Sequence, residues 1–309
     1  MRDSKARVGV VGVGYLGKFH AEKYAGSSKA QLVAVVDIDR ERAEQVARDF
    51  GTSPLTDYHE LFGKVDCVSV ATSTRAHYEI TRDFLQGGVD VLVEKPIAVS
   101  LEEAREMVEL SRRRGLVLQV GHLERFNPAI RRLEGVIREP RFIECHRLAP
   151  FAQRGTDVDV ILDLMIHDID VIASLVRSPV DRVEAVGVPV LTESPDIANA
   201  RITFANGCIA NVTSSRVSIK RERKIRFFQR DAYISIDYDQ KRAQVFYRPE
   251  TAKGWQDIRG ETFEMKDGDA LADEIDSFLD AVRTRGEPLV TGEAGLRALE
   301  IAQMIRARL

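Results

Sequence analysis

Short, continuously apolar runs alternate with longer helix-patterned stretches through residues 1–121. "RVGVV", "QLVAVVD", "CVSVAT", "DVLVEKP" and "LVLQVGH" predict strands. Between them, "YLGKFHAEKYAG", "DRERAEQVARDFG", "HYEITRDFLQGG" and "SLEEAREMVELSRRRG" predict helices. Gly51, Gly87–Gly88 and Gly115 supply the stops, and Ser100 with Glu103 forms a capping box. Strands that are apolar on both faces need helices over both faces, which predicts a parallel sheet.

The pattern changes after Gly121. Asn127-Pro128 is an N-cap and N1 pair opening a helix through "AIRRLEGVI", and residues 158–176 predict a second helix. Longer alternating runs follow: "RVEAVGVPVL", "ANARITF", "CIANVTSS", "KIRFFQ", "AYISIDY" and "AQVFYR". "FANGC" marks a hairpin. Helical "LADEIDSFLDAVRTRG" and "GEAGLRALEIAQMIRARL" finish the chain. This predicts an α/β protein of two domains. Residues 1–121 are expected to form a doubly wound (Rossmann-type) domain. Residues 122–309 form an α/β domain with a large, mostly antiparallel open sheet.

Composition narrows the function. The chain has 309 residues, 44% hydrophobic and 30% charged, with 45 Lys and Arg against 48 Asp and Glu. A net charge of −3 argues against nucleic acid as a partner. The basic run Lys220–Lys224 reads as a solvated turn between strands. Three scattered cysteines, Cys67, Cys145 and Cys208, suggest no disulfide framework and point to the reducing cytoplasm. No signal peptide or membrane-spanning run is expected.

"GVGYLG" places Gly12, Gly14 and Gly17 between a strand and a helix. Gly12 permits a tight turn, Gly14 lets backbone approach a pyrophosphate, and Gly17 lets helix and strand pack closely. The helix N-terminus offers N–H groups to the phosphates. Asp37 closes the second strand, where a carboxylate accepts both adenosine ribose hydroxyls and repels a 2′-phosphate. NAD is therefore expected over NADP, with Arg40 the residue that would favour NADP. "ATSTRAH" follows the third strand, so Thr72 and Thr74 are candidate contacts on the nicotinamide side. Thr74 is equally a candidate helix cap. His77 reads as a first-turn or surface histidine beside the cofactor, not a catalyst.

Lys95 of "VEKP" ends the fourth strand at the same sheet edge, where its ammonium can bind a substrate hydroxyl beside the nicotinamide. In "DLMIHDID", Asp163 and His167 are four apart and share a helix face. Asp159 and Asp170 extend that face, while Asp168 projects elsewhere as a structural group. A carboxylate beside a histidine holds one tautomer and raises basicity, as a general base requires. Asp163, His167 and Asp170 also have the spacing of metal ligands, but no complementary cluster is evident and no metal is expected. "GHLERFNP" joins the two halves, making His122, Arg125 and Asn127 candidates for a polar or anionic substrate. For Arg125 a structural ion pair is the competing reading.

These motifs, in this order, resemble those of the glucose-fructose oxidoreductase / inositol dehydrogenase / MocA family, and the resemblance covers nearly the whole chain. "GHLERFNPA" with "DLMIHDID" is most similar to nucleotide-sugar oxidoreductases of the UDP-N-acetylglucosamine 3-dehydrogenase type. The resemblance implies that Lys95, Asp163 and His167 surround a reacting sugar hydroxyl, with either Lys95 or His167 as the base. The cofactor-binding set then reads as Gly12, Gly14, Tyr15, Leu16, Gly17, Asp37, Thr72, Thr74, His77, Glu94 and Lys95. The substrate set reads as Lys95, His122, Arg125, Asn127 and His167. The expected reaction is NAD-dependent oxidation of the 3-hydroxyl of a UDP-sugar, in a homodimer or homotetramer built through the second sheet. Inositol or another free polyol is the alternative substrate. A non-enzymatic NAD-bound regulator is the alternative of another class, and it would be expected to lack the lysine or the histidine.

Overall fold

A computed structural model describes residues 5–152, 158–264 and 268–309. The chain divides into two compact units, residues 1–123 with 269–296, and residues 124–268 with 297–309. The elements begin with β1 (Ala6–Val11), α1 (Tyr15–Gly26), β2 (Ala30–Val36), α2 (Arg40–Phe50) and β3 (Ser53–Leu55). They continue with β4 (Cys67–Val70), α3 (Thr74–Gln86), β5 (Asp90–Glu94), α4 (Leu101–Arg114) and β6 (Leu118–Gly121). After α5 (Pro128–Leu133) and β7 (Phe142–Leu148), a π-helical turn (Ile161–Met165) runs into α6 (Ile166–Val176). Then come β8 (Val180–Val188), β9 (Ile197–Phe204), β10 (Ile209–Ser215), β11 (Glu222–Phe228), β12 (Ala232–Asp237), β13 (Arg242–Tyr247) and β14 (Arg259–Glu264). The chain closes with α7 (Ala270–Thr284) and α8 (Gly292–Arg306).

The first unit is a parallel sheet in the order β3-β2-β1-β4-β5-β6. Its central strands are apolar on both faces, as the continuous runs predicted: Val8, Val10, Val68, Val91 and Val93 are all fully buried. The helix stops form as read. Gly51 and Gly115 cap α2 and α4 in the left-handed conformation, and Ser100 and Glu103 form the capping box. All parallel strands end at one edge, so Gly12, Asp37, Ala71, Lys95 and His122 follow strand ends there. The order reverses between β1 and β4, which is where such sheets open a ligand crevice.

The division between units is not a single cut near residue 121. Residues 269–296 return to the first unit. The reason is apolar: Ile275, Phe278, Leu279, Ala281 and Val282 of α7 join the core that contains Val8, Val10, Tyr24 and Val35. Gln119 Nε2 also donates to the Glu274 backbone carbonyl at 2.9 Å.

The second unit is an eight-stranded sheet in the order β14-β13-β12-β11-β7-β10-β9-β8. All its pairings are antiparallel except β10 with β7. "FANGC" is the hairpin turn between β9 and β10, with Gly207 at φ +83°. Three strands lie outside the sequence reading, namely β3, β7 and β14. β7 was hidden because its inward positions are Ile143, Cys145 and Arg147, so a charged residue interrupts the apolar alternation. Lys220–Lys224 is a turn only at its start, since β11 begins at Glu222. A row of aromatic cross-strand neighbours, Phe142, Phe228, Tyr233 and Phe246, crosses four strands at centroid spacings of 5.6, 5.1 and 6.2 Å. No helix among the described residues is long and apolar enough to cross a membrane.

The closest approach in the first unit lies at Gly17, where a β-carbon would fall inside the van der Waals surface of the Gly12 carbonyl oxygen. Backbone cannot yield there as a side chain would. Gly17→Ala is expected to cost about 3 kcal/mol or more, read as a lower denaturation midpoint. An unchanged midpoint would show that α1 can lift away from β1 without loss.

Candidate active site

The turn after β1 has the shape its glycines predicted. Gly12 has φ +82°, and a β-carbon on it would lie 2.7 Å from the Ala71 carbonyl oxygen. Gly14 precedes the first turn of α1, and a β-carbon there would meet nothing within 4 Å. Its backbone therefore faces open space at a helix N-terminus, which suits a pyrophosphate. Tyr15 and Leu16 occupy the first turn with exposed side chains.

Asp37 is buried and fixed at the end of β2. Its carboxylate accepts from the Val13 N–H at 3.0 Å and the Asp39 N–H at 3.0 Å. The arginine that reaches it is Arg42, at 3.2 and 3.3 Å. Arg40, the residue singled out from sequence, is exposed at the start of α2, and no hydrogen bond to Asp37 is found for it. The helical phase explains this: Asp39 caps α2 by accepting from the Arg42 N–H, which turns Arg42 back over the β2 end. Ile38, beside Asp37, leaves its apolar side chain 95% exposed. A glycine cradle, an anchored carboxylate and an exposed apolar side chain together fit a dinucleotide.

Beyond β4, Thr72 is half-buried in the loop, and Thr74 is the first residue of α3. Thr74 is not the cap; Ser73 holds that position. His77 does lie in the first turn of α3, but it is buried and not on the surface, with its ring nitrogens 2.9 Å from the Pro96 carbonyl and 3.2 Å from the Thr72 carbonyl. Burial pushes its imidazole below the usual range. A neutral ring has one N–H to give, and the shorter contact to Pro96 is the better placed. His77 thus ties the start of α3 to the turn that carries Lys95. Lys95 itself is half-buried at the end of β5, joined to Pro96 by a cis peptide. Glu94 points inward: its Oε1 meets His20 Nε2 at 3.0 Å, and its Oε2 accepts the Lys95 N–H at 3.2 Å. His122 is buried just past β6.

In the second unit, "DLMIHDID" is a helix with a change of gauge. Asp163 lies in the π-helical turn and His167 in the first turn of α6, both half-buried. Such wide turns often sit at functional sites. Asp159 does not extend the Asp163 face. It caps the turn by accepting from the Ile161 and Leu162 N–H groups at 3.0 and 3.1 Å, and it pairs with Arg306 at 2.6 Å. Asp168 does project elsewhere, as the helical phase required. It takes a fork from Arg147, Nε to Oδ2 at 2.7 Å and Nη2 to Oδ1 at 2.8 Å, while Glu124 holds the other side of the guanidinium at 3.1 Å. Burial works against the Arg147 charge, and the two acids outweigh it, holding the group above its ordinary value. Asp170 lies 3.7 Å from Arg125, so Arg125 carries an ion pair. Asn127 caps α5 by accepting from the Ala129 N–H at 3.0 Å.

The metal reading of the aspartate face finds no support: among the described residues, the one group with ligand atoms within 4.8 Å is His20, Glu94 and Glu274. Sequence reading missed that cluster, and it missed Arg147. Glu274 carried a signal: it falls three residues after Leu271 and four before Phe278, on the apolar face of α7.

Residues 6–122 match an oxidoreductase family with an NAD-binding Rossmann fold, and residues 129–235 match the GFO/IDH/MocA C-terminal domain. The chain is 40% identical over 303 residues to UDP-N-acetylglucosamine 3-dehydrogenase of Acidithiobacillus ferrooxidans, covering 97% of this chain and 96% of that one. A solved structure of that dehydrogenase superposes with a TM-score of 0.92, covering 99% of this chain and 98% of the other at 38% identity. Myo-inositol 2-dehydrogenase of Thermotoga maritima is 25% identical over 312 residues, covering 95% and 93% of the two chains. A 3-ketoreductase from Actinomadura kijaniata, solved with NADP, shares the fold at a TM-score of 0.84, 21% identity and 98% coverage of each chain.

The Arg147 fork fixes the rotation of α6, and with it the direction of His167. Arg147→Met leaves the buried Asp168 and the half-buried Glu124 without their cation and is expected to cost about 3 to 5 kcal/mol. The check is the denaturation midpoint; a loss near zero would mean that Asp168 and Glu124 find water instead.

Proposed function

This chain belongs to the GFO/IDH/MocA family of NAD-binding oxidoreductases, and from that premise we propose that it oxidises the 3-hydroxyl of UDP-N-acetylglucosamine, or of a closely related UDP-sugar, to the 3-keto sugar with NAD. The observation that carries this reading is the 40% identity, across 97% of the chain, to a dehydrogenase of that name. Oxidation of a free polyol such as inositol is the second reading, favoured by the more distant myo-inositol 2-dehydrogenase.

The proposed cofactor site uses Gly12, Gly14, Tyr15, Leu16 and Gly17 for the phosphates and Asp37 for the adenosine ribose. A carboxylate anchored by two backbone N–H groups cannot retreat from a 2′-phosphate, which supports NAD over NADP. Arg42, already engaged by Asp37, is the residue to watch for NADP use. Thr72, Thr74, Glu94 and Lys95 are assigned to the nicotinamide side, with His77 bracing the turn that carries Lys95. When bound, NAD supplies a hydride acceptor.

The chain supplies the proton chemistry. Lys95 is assigned to the reacting hydroxyl, and His167, oriented by Asp163, to the same oxygen. One of the two takes the hydroxyl proton as the carbon gives up its hydride, and the other stabilises the developing carbonyl. Arg125 and His122 are assigned to the polar part of the substrate. Asn127 is assigned a supporting role there, since its carboxamide oxygen already caps α5. We also propose a homo-oligomer built through the second sheet, supported by the aromatic row that ends at the half-exposed Phe246. Three free, buried cysteines support a reducing cytosol as its compartment.

A panel of UDP-sugars and free polyols, each with NAD and with NADP, tests the substrate. UDP-N-acetylglucosamine with NAD is expected to exceed inositol in kcat/KM by about a hundredfold or more. Reduction of NAD by free polyols alone would overturn the assignment. Lys95→Ala is expected to lower kcat by about a thousandfold while NAD binding, followed by fluorescence titration, is retained through the glycine turn and Asp37. Near-normal turnover would remove Lys95 from the chemistry.

A further inference from the structure

Behind Lys95 the first unit buries three ionisable side chains to which the proposed proton transfer gives no role. His20 comes from α1, Glu94 from β5 and Glu274 from α7, each closed off from solvent, with ligand atoms within 4.8 Å of one another. Two of the three are tied into a directed hydrogen-bond chain. The Tyr24 hydroxyl lies 2.8 Å from Ser69 Oγ, which lies 3.2 Å from His20 Nδ1. His20 Nε2 lies 3.0 Å from Glu94 Oε1. Running the protons from Tyr24 to Ser69 to His20 to Glu94 gives every atom in that line a partner. The other Glu94 oxygen accepts the Lys95 N–H at 3.2 Å. Gly121 makes room for this carboxylate, since a β-carbon there would stand 2.9 Å from it.

Glu274 is different. Both its carboxyl oxygens are buried, and neither has a hydrogen-bond partner among the described residues. An ionised carboxylate in that position would face the charge of Glu94 with no donor to answer it. A carboxylic acid would remove that repulsion, with a Glu94 carboxylate oxygen within 4.8 Å of it.

We propose that Glu274 holds a proton at neutral pH and that His20, ionised Glu94 and neutral Glu274 form a buried positioning set for Lys95. It rests on the reading that Lys95 serves the reaction. His20 donates to Glu94, neutral Glu274 stands beside it without adding a second charge, and Glu94 grips the backbone N–H of Lys95, so the set fixes where the lysine side chain departs from the sheet. The titratable groups around Glu274 and Glu94 agree. His20 and Tyr24 face them from α1, Lys95 extends from β5, Cys67 lies in β4, and His77 stands on α3. Burial, then the charge of Glu94, pushes Glu274 well above the usual carboxylate range. Burial raises Glu94 too, but the His20 hydrogen bond and the nearby positive charge outweigh it and leave it below its ordinary value. The two acids are thus driven apart, with the proton on Glu274. A metal ion would need the His20 Nε2 lone pair, and the hydrogen bond to Glu94 places a proton on that nitrogen instead.

The proton has a thermodynamic signature. Above the ordinary carboxyl value of 4.5, the unfolded chain ionises Glu274 and the folded chain does not. Relative to Glu274→Gln, which carries no titrating group, the native protein therefore loses stability as pH rises, by about tenfold in the folding equilibrium per pH unit. Below pH 4.5 the difference is expected to become independent of pH. Infrared difference spectroscopy of the wild-type protein should show a protonated carboxyl band at neutral pH, absent in Glu274→Gln. A missing band, a band that survives the substitution, or stoichiometric metal held by the three side chains would each overturn the proton assignment. For positioning, Glu94→Gln is expected to lower kcat about tenfold with the substrate KM within about twofold. If that variant does not fold, His20→Gln withdraws the same partner and should show the same split. Unchanged kcat in a folded variant would overturn the positioning role. Failure of Lys95 itself would appear separately, as normal turnover in Lys95→Ala with the infrared and stability results unaffected.

Discussion

Taking a carboxylate out of water costs several kcal/mol unless donors meet it inside the protein. This chain buries a series of acids, and the donors that meet them come from the segments that the chemistry needs held still. Asp37 is met by the turn N–H of Val13 and so draws the glycine turn against the end of β2. Glu94 is met by the N–H of Lys95. Asp159 is met by the first N–H groups of the π-helical turn, and Asp168 by the fork of Arg147 one residue past His167. Each acid must be answered where it stands, so each holds a loop or helix phase more tightly than apolar packing does.

The glycines do the opposite work, admitting approach where the acids forbid movement. Gly12 and Gly17 close a strand against a helix, and Gly14 leaves backbone open to a ligand. Gly121 lets the Glu94 carboxylate stand beside β6. Absence of a side chain is as specific a feature here as the charges, because each of these contacts is with backbone or with a buried polar group that cannot turn aside.

Much of this was readable before any coordinates. The parallel sheet followed from strands apolar on both faces, the turn from "GVGYLG", and the separation of Asp168 from the Asp163–His167 face from simple helical geometry. What escaped notice has physical causes. Arg147 points inward from β7, so the strand lost its alternating signature. The wide turn at Ile161–Met165 depends on a backbone hydrogen-bond pattern that no residue type announces. Arg42 in place of Arg40 is a matter of helix phase set by the Asp39 cap. His20, Glu94 and Glu274 come from parts of the chain far apart in number, and only the fold makes them neighbours. The roles of the individual site residues are the part that sequence proposes and chemistry must test.

The return of α7 to the first unit also has a consequence in time. The core around Val8, Val10 and Tyr24 includes Ile275, Phe278 and Val282. During synthesis the first strands emerge while the residues that complete their core are still untranslated, and the whole eight-stranded sheet is made in between. The nascent Rossmann half therefore waits with an open apolar flank, a state in which chaperone capture competes with folding. A ribosome that stalls before α7 is made leaves behind a half-built domain and not a finished one.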